Sequence, residues 1–209
     1  MNKNYWELES TAKLFRDKEP DILVEKGILE IKSDGKNALD IGCGGGRNSL
    51  VLAKHNFNVQ ILDGNQIMLD TTIRLLSNNK LAAGNASIQD VSNLNIGGNN
   101  FDIILCIGVL HQNQSINSLT EAIEKIYKSL KKGGIFIYNV FTSDHIDTSL
   151  VDLGENRYQT KENAPMLLIS RDKYLEIFKN LGFIEVHKQY NVKDVNTGKR
   201  SILRGILRR

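Results

Sequence analysis

The chain is poor in cysteine, proline and tryptophan, with two, two and one of them in 209 residues. Cys43 and Cys106 are too few for a disulfide framework and lack metal-ligand spacing, so both read as reduced thiols. No pair of the four histidines has ligand spacing, and no metal is expected. Long apolar runs are missing too. The longest, Ile103 to Leu110, is far shorter than the roughly 20 residues that span a bilayer, and Met1 to Glu7 has no apolar signal core. An unprocessed cytoplasmic protein without a membrane partner is the expectation. The net charge of +3 is too small to mark a polyanionic partner. Its most basic stretch, with Lys199, Arg200, Arg204, Arg208 and Arg209, reads as a solvated charged strand or as a nucleic-acid contact.

What is present is a core and a glycine-rich turn. With 41% hydrophobic residues the chain can bury the interior of one α/β domain. Ala38 to Ile41 read as the buried end of a strand, and Leu50, Val51, Leu52 and Ala53 give the following helix its apolar side. Between them lies Gly42-Cys43-Gly44-Gly45-Gly46. Glycine at a strand-to-helix junction permits positive φ and close backbone approach to a ligand, while the helix end offers unpaired N–H groups. A dinucleotide fingerprint wants G-x-G-x-x-G, but Arg47 stands where its third glycine belongs, which disfavours a nicotinamide cofactor. A second strand, Phe57 to Leu62, ends in Asp63, about 20 residues on, where a nucleoside-binding unit places its ribose acid.

In these residues the sequence resembles the class I, Rossmann-like S-adenosylmethionine-dependent methyltransferases. Motif I matches in Leu39-Asp40-Ile41-Gly42-Cys43-Gly44-Gly45-Gly46, and acidic motif II in Ile61-Leu62-Asp63-Gly64-Asn65 with Met68-Leu69 after it. The similarity continues in order through Gln89-Asp90-Val91, Phe101 to Cys106, and Leu130-Lys131-Lys132-Gly133-Gly134-Ile135-Phe136. It is close over residues 36 to 142 and in outline elsewhere; Tyr5-Trp6 and the tail from Ser170 look loosely similar to bacterial small-molecule members of the tellurite-resistance and thiopurine type. The resemblance implies S-adenosyl-L-methionine as cofactor and S-adenosyl-L-homocysteine as product. It places Gly42, Gly44 and Gly46 against the methionine part, Asp63 with Gly64 at the ribose, and Asp90 and Val91 at the adenine. Asp40 would meet the ammonium or organise the loop, and Ile107 and Gly108 would lie near the transferring methyl.

His111, in Val109-Leu110-His111-Gln112-Asn113, is a candidate general base and substrate contact, because a neutral imidazole can take a proton from a hydroxyl or amine; its other reading is structural. Tyr5 and Trp6 read as substrate contacts or as core. The prolines, Pro20 and Pro165, supply neither the Asp/Asn-Pro-Pro-aromatic motif of base-amine methylation in DNA nor a Pro-Cys pair, so a small-molecule acceptor and no DNA are expected. Methylation of protein or RNA, a nicotinamide-dependent oxidoreductase and a non-catalytic cofactor-binding module are the alternatives. Oligomeric state is left as monomer or homodimer.

Alternating strand and helix patterns predict an α/β, doubly wound, mostly parallel seven-stranded sheet with helices on both faces. Helices are expected near Gln66 to Lys80, Ile116 to Leu130 and from Ser170 through Asn180, with Gly133-Gly134 capping the second. A terminal hairpin, Ile184 to Tyr190 and Arg200 to Leu207, would put an antiparallel last strand in the sheet, as the resemblance implies. The whole of 1–209 reads as one domain: an N-terminal helical lid at 1–34, a cofactor core at 35–142, a substrate-facing loop at 143–169, and a C-terminal helix and hairpin at 170–209.

Overall fold

The computed structural model describes residues 8–209, so Tyr5 and Trp6 lie outside the described residues. Seven strands form one sheet: β1 (Asn37–Ile41), β2 (Asn58–Asp63), β3 (Asn85–Ile88), β4 (Phe101–Ile107), β5 (Leu130–Thr142), β9 (Ile184–Val195) and β10 (Gly198–Arg208). Their order is β3-β2-β1-β4-β5-β10-β9. All run parallel except β10, which is antiparallel to both β5 and β9.

Alternation along each strand sorts the side chains into two layers. Ile103, Leu105, Ile135 and Ile137 point to one face, where they meet Leu23 and Val24 of α2 (Ile22–Leu29), Leu52 of α3 (Arg47–Lys54) and Leu69 of α4 (Gln66–Asn78). Ile104, Cys106, Phe136 and Tyr138 point to the other, against Leu119, Ile123 and Ile126 of α5 (Ile116–Ser129) and Tyr174 and Phe178 of α6 (Arg171–Leu181). Ser115 caps α5 through the Ser118 N–H at 3.1 Å, and Ser170 caps α6 through Lys173 N–H at 3.2 Å, as a serine ahead of an apolar helical pattern should. A short helix α1 (Glu9–Arg16) precedes α2 and lies against α4.

Three expectations change. Helix α5 stops at Ser129, and Leu130 is already extended (φ −69°, ψ 145°), so Gly133 and Gly134 do not cap it. Gly133 instead turns within the entry of β5 at φ +80° and donates its N–H to Arg209 O. Residues 143–169 are no plain loop: they carry a three-stranded antiparallel sheet of β6 (Val151–Gly154), β7 (Arg157–Gln159) and β8 (Pro165–Leu167). The C-terminal arginines are not a solvated basic strand. Arg200 pairs with Asp147, Arg204 with Asp21 at 3.6 Å and Arg208 with Glu30 at 2.8 Å, while Arg209 stacks over Tyr127 at 5.0 Å; Lys199 stays exposed.

Candidate cofactor and acceptor site

Strand order reverses between β1 and β4, and in an open α/β sheet that reversal opens a crevice at the carboxyl ends of the strands. The loop after β1, Asp63 at the end of β2, Asp90 after β3, and Ile107-Gly108 at the end of β4 therefore line one edge of the sheet. The parallel register makes this concrete: Ile41 is level with Leu62 on one side and Cys106 on the other, and Asp63 is level with Ile88.

Gly42, Gly44 and Gly46 all have positive φ, at 69°, 57° and 85°. The turn is pinned to β2, because the N–H groups of Gly42 and Cys43 both donate to Leu62 O, at 2.8 and 3.1 Å. Gly46 closes it as the left-handed N-cap of α3, with no side chain capping the helix. A Cβ there would stand 2.9 Å from Thr72 Oγ1 and 3.0 Å from Thr72 Cα, so space as well as conformation requires glycine. Thr72 Oγ1 in turn donates to Gly44 O at 2.9 Å.

Asp63 bridges this loop to β2: Oδ2 accepts from Gly44 N–H at 2.9 Å and Oδ1 from Asn65 N–H at 3.0 Å. Burial raises its pKa, opposed by the bonds from Gly44, Asn65 and Gly64. Gly64 itself is exposed beside it. Asp40 is only 2% exposed and accepts from Ser49 Oγ in the first turn of α3 at 2.6 Å. Burial pushes its carboxyl up to about 6, against the Ser49 bond and the Arg47 charge. The loop-organising role is thus the contact the structure contains. Arg47 Nη1 donates to Phe15 O at 3.3 Å, while its Nε is buried without a hydrogen-bond partner.

Asp90 caps a 3₁₀ turn over Val91–Asn93, its Oδ1 accepting from the Ser92 N–H at 2.8 Å and the Ser92 hydroxyl at 2.6 Å. The Val91 side chain is buried beneath it. Gly108, at φ +78°, donates to Asn139 O at 2.8 Å and has open space where a Cβ would stand. His111 sits in the turn after β4, buried, its ring edge-on to Phe141 at 5.0 Å. Burial lowers its pKa to about 4, and Nδ1 has no partner. The imidazole is therefore neutral at ordinary pH.

Four contributors escape sequence reading. Gly45 is packed under α1, where an added Cβ would come within 2.1 Å of Arg16 N. Val109 fills the space beside Gly42, 2.2 Å from its virtual Cβ. Ser49 and Thr72 hold the loop by their hydroxyls. The run of three glycines was the available signal for Gly45, and Ser49 follows the loop directly in the first turn of α3; Thr72 and Val109 lie on elements that only the fold brings to the loop. Among the described residues, no three His, Cys, Asp or Glu side chains converge as a metal site, and no helix is long and apolar enough to cross a membrane.

A family model described as a methyltransferase domain matches residues 38–134, from β1 into the entry of β5. A ubiquinone biosynthesis O-methyltransferase of Coxiella burnetii is 36% identical over 81 residues, which span 39% of this chain and 34% of that relative, so the match covers about a third of the relative's length. A solved methyltransferase from Methanosarcina mazei superposes with a TM-score of 0.71 at 16% identity, covering 92% of this chain and 99% of that one. The 1,6-didemethyltoxoflavin-N1-methyltransferase of Burkholderia thailandensis, solved with 1,6-didemethyltoxoflavin and S-adenosylhomocysteine, superposes at 0.66 with 19% identity, covering 96% of this chain and 84% of that one. At such identities the two superpositions speak for the fold. Strand order, the placement of the motif residues along one sheet edge and the matched model agree: residues 38–134 match a methyltransferase domain, and the chain has the fold of the solved methyltransferases on which it superposes.

Proposed function

We propose that this protein transfers a methyl group from S-adenosylmethionine to a small-molecule acceptor. The observation that carries the reading is the junction of the positive-φ loop with the Asp63 carboxylate at the switch point of the sheet. The residues present suit the cofactor. An unpartnered, buried Arg47 Nε beside an uncapped helix end fits the carboxylate of the methionine part, and the Asp40 carboxylate fits its ammonium group. Asp63 fits the ribose hydroxyls, and Asp90 and Val91, next along the edge, fit the adenine.

When bound, the cofactor supplies a methyl group on a positive sulfur, already activated for displacement. The chain's share is alignment and exclusion of water. Gly108 keeps the mouth of β4 clear, and Ile107 lines it. His111, neutral and with a free Nδ1, can accept a hydrogen bond or a proton from an acceptor hydroxyl or amine. Arg200, Arg204 and Arg208 are each held in an ion pair within the fold, which favours a small acceptor over a polyanion. The curated relative's O-methyltransferase name and the neighbour's bound small molecule support the same reading. A cytoplasmic setting suits the two free, buried cysteines, and sedimentation would decide between monomer and homodimer.

Calorimetric titration with S-adenosylmethionine, S-adenosylhomocysteine and NADH in parallel tests the proposal. Micromolar binding of the first two without a signal from NADH is expected. NADH binding alone would overturn it.

A further inference from the structure

The segment between β5 and α6 folds back over the ends of β5 and β10 as a pinched loop. At its base Ser143 N–H donates to Ile169 O at 2.9 Å, and Asp144 Oδ2 accepts from Thr142 Oγ1 at 2.7 Å and Arg171 N–H at 3.0 Å. Beneath it lies a small cavity with apolar walls from Phe141, Leu150, Met166 and Leu168, into which Asp147 and Arg200 bring an ion pair. Asp147 is 1% exposed, and its carboxylate accepts from the N–H and hydroxyl of Ser149, from Thr197 Oγ1 and from Arg200 Nε. Those bonds hold its pKa down near 2 against the cost of burial. Arg200 is different: only Nε is engaged, and its two terminal nitrogens make no hydrogen bond among the described residues. Its guanidinium lies over the Phe141 ring at 5.9 Å, and the same ring meets His111 edge-on. Phe141 is thus a wall shared by the cavity and the turn that carries His111.

A guanidinium fixed through Nε presents its remaining planar pair of donors end-on, the geometry that a carboxylate accepts. Apolar walls around it call for an apolar body on the same molecule. We propose that this cavity is the subsite for an anionic group of the acceptor, and that Arg200 selects acceptors with an aromatic or other apolar body bearing a carboxylate. The inference rests on the methyltransferase reading above and adds the acceptor's class. The cavity measures about 10 Å³, room for one water, so the β6–β8 sheet has to lift to admit a ligand. Its edge strand β6 is exposed along its whole length, while β8 covers the His111 turn, so lifting the sheet would open cavity and turn together.

Titration of the full chain, saturated with S-adenosylhomocysteine, with 2-naphthoate and its neutral counterpart 2-naphthamide tests this. The carboxylate is expected to bind at least tenfold more tightly than the amide. Arg200→Gln is expected to erase that difference, and Leu150→Trp, which fills the cavity, to weaken both. Equal affinities, or no naphthoate binding at millimolar concentration, would overturn the subsite. If Arg200→Gln does not fold, the comparison on the native chain still decides. A chain that takes no S-adenosylhomocysteine overturns the methyltransferase reading instead, and the naphthoate comparison is then made without it.

Discussion

Asp63 serves two purposes with one side chain, since the same carboxylate that would take the ribose also holds Gly44 N–H. Asp63→Ala should therefore weaken S-adenosylmethionine binding more than tenfold, or about 1.4 kcal/mol, in a calorimetric titration. Unchanged affinity would remove its ribose role. His111 leads to a stability prediction. Its pKa falls from 6.5 in the unfolded chain to about 4 in the fold, so the unfolded state binds the proton first as pH drops. The contribution is complete above 6.5 and is lost as pH falls toward 4. Urea unfolding should show the native chain losing stability across that window, with a shallower slope for His111→Leu. At this scale the placement of the motif residues at strand ends and in turns was legible, because it depends on local chain geometry. Their partners were not: Arg47 reaches Phe15, 32 residues away, and nothing near either residue announces the contact. Asp90 shows the other side, since a turn aspartate two residues before a serine N–H has a local partner whatever else it does.

At the scale of elements, the contact of α1 with the glycine loop is the feature most open to a single change. Gly45 has no positive φ, so Gly45→Ala tests space rather than conformation: its Cβ would collide with the Phe15–Arg16 backbone. Limited proteolysis should then cut between α1 and α2 faster than in the native chain, while the melting temperature shifts by only a few degrees. An unchanged cleavage rate would mean that α1 is not held by this contact. The central strands and the helices packed on them could be read from their apolar patterns, because β1, β2, β4 and β5 and helices α3 to α6 each bury one or two faces. The β6–β8 sheet could not. Its strands are 4, 3 and 3 residues long, too short for alternation to stand out, and every residue of β6 is exposed. Gly133 misled for a related reason: a glycine in the left-handed region marks a turn, but sequence does not say whether helix or strand lies before it.

Across the whole molecule, β10 joins parts far apart in sequence. Arg208 bonds Glu30 O at 3.0 Å, Gly133 O at 3.3 Å and the Glu30 carboxylate at 2.8 Å, tying α2 and the entry of β5 to the last strand. Arg208→Met should cost about 2 kcal/mol in chemical unfolding, chiefly through the two carbonyls it leaves without a donor. Glu30→Gln should cost less than half of that, because this carboxylate is 41% exposed and well screened. Equal losses would place the weight on the ion pair. No sequence pattern could have shown this clasp, whose partners stand 178 residues apart; Arg204 and Arg208 read as surface charge because their countercharges, Asp21 and Glu30, come from the opposite end of the chain.

The position of β10 also fixes a timetable. It lies between β5 and β9, and among the described residues β9 has no other neighbour in the sheet. On a ribosome, β9 would emerge before β10, its one sheet neighbour among the described residues, and α2 would emerge long before Arg204 and Arg208. Birth order and docking order run against each other: the apolar side of α2 can settle on β4 and β5 first, while its ion pairs close only once β10 has been made.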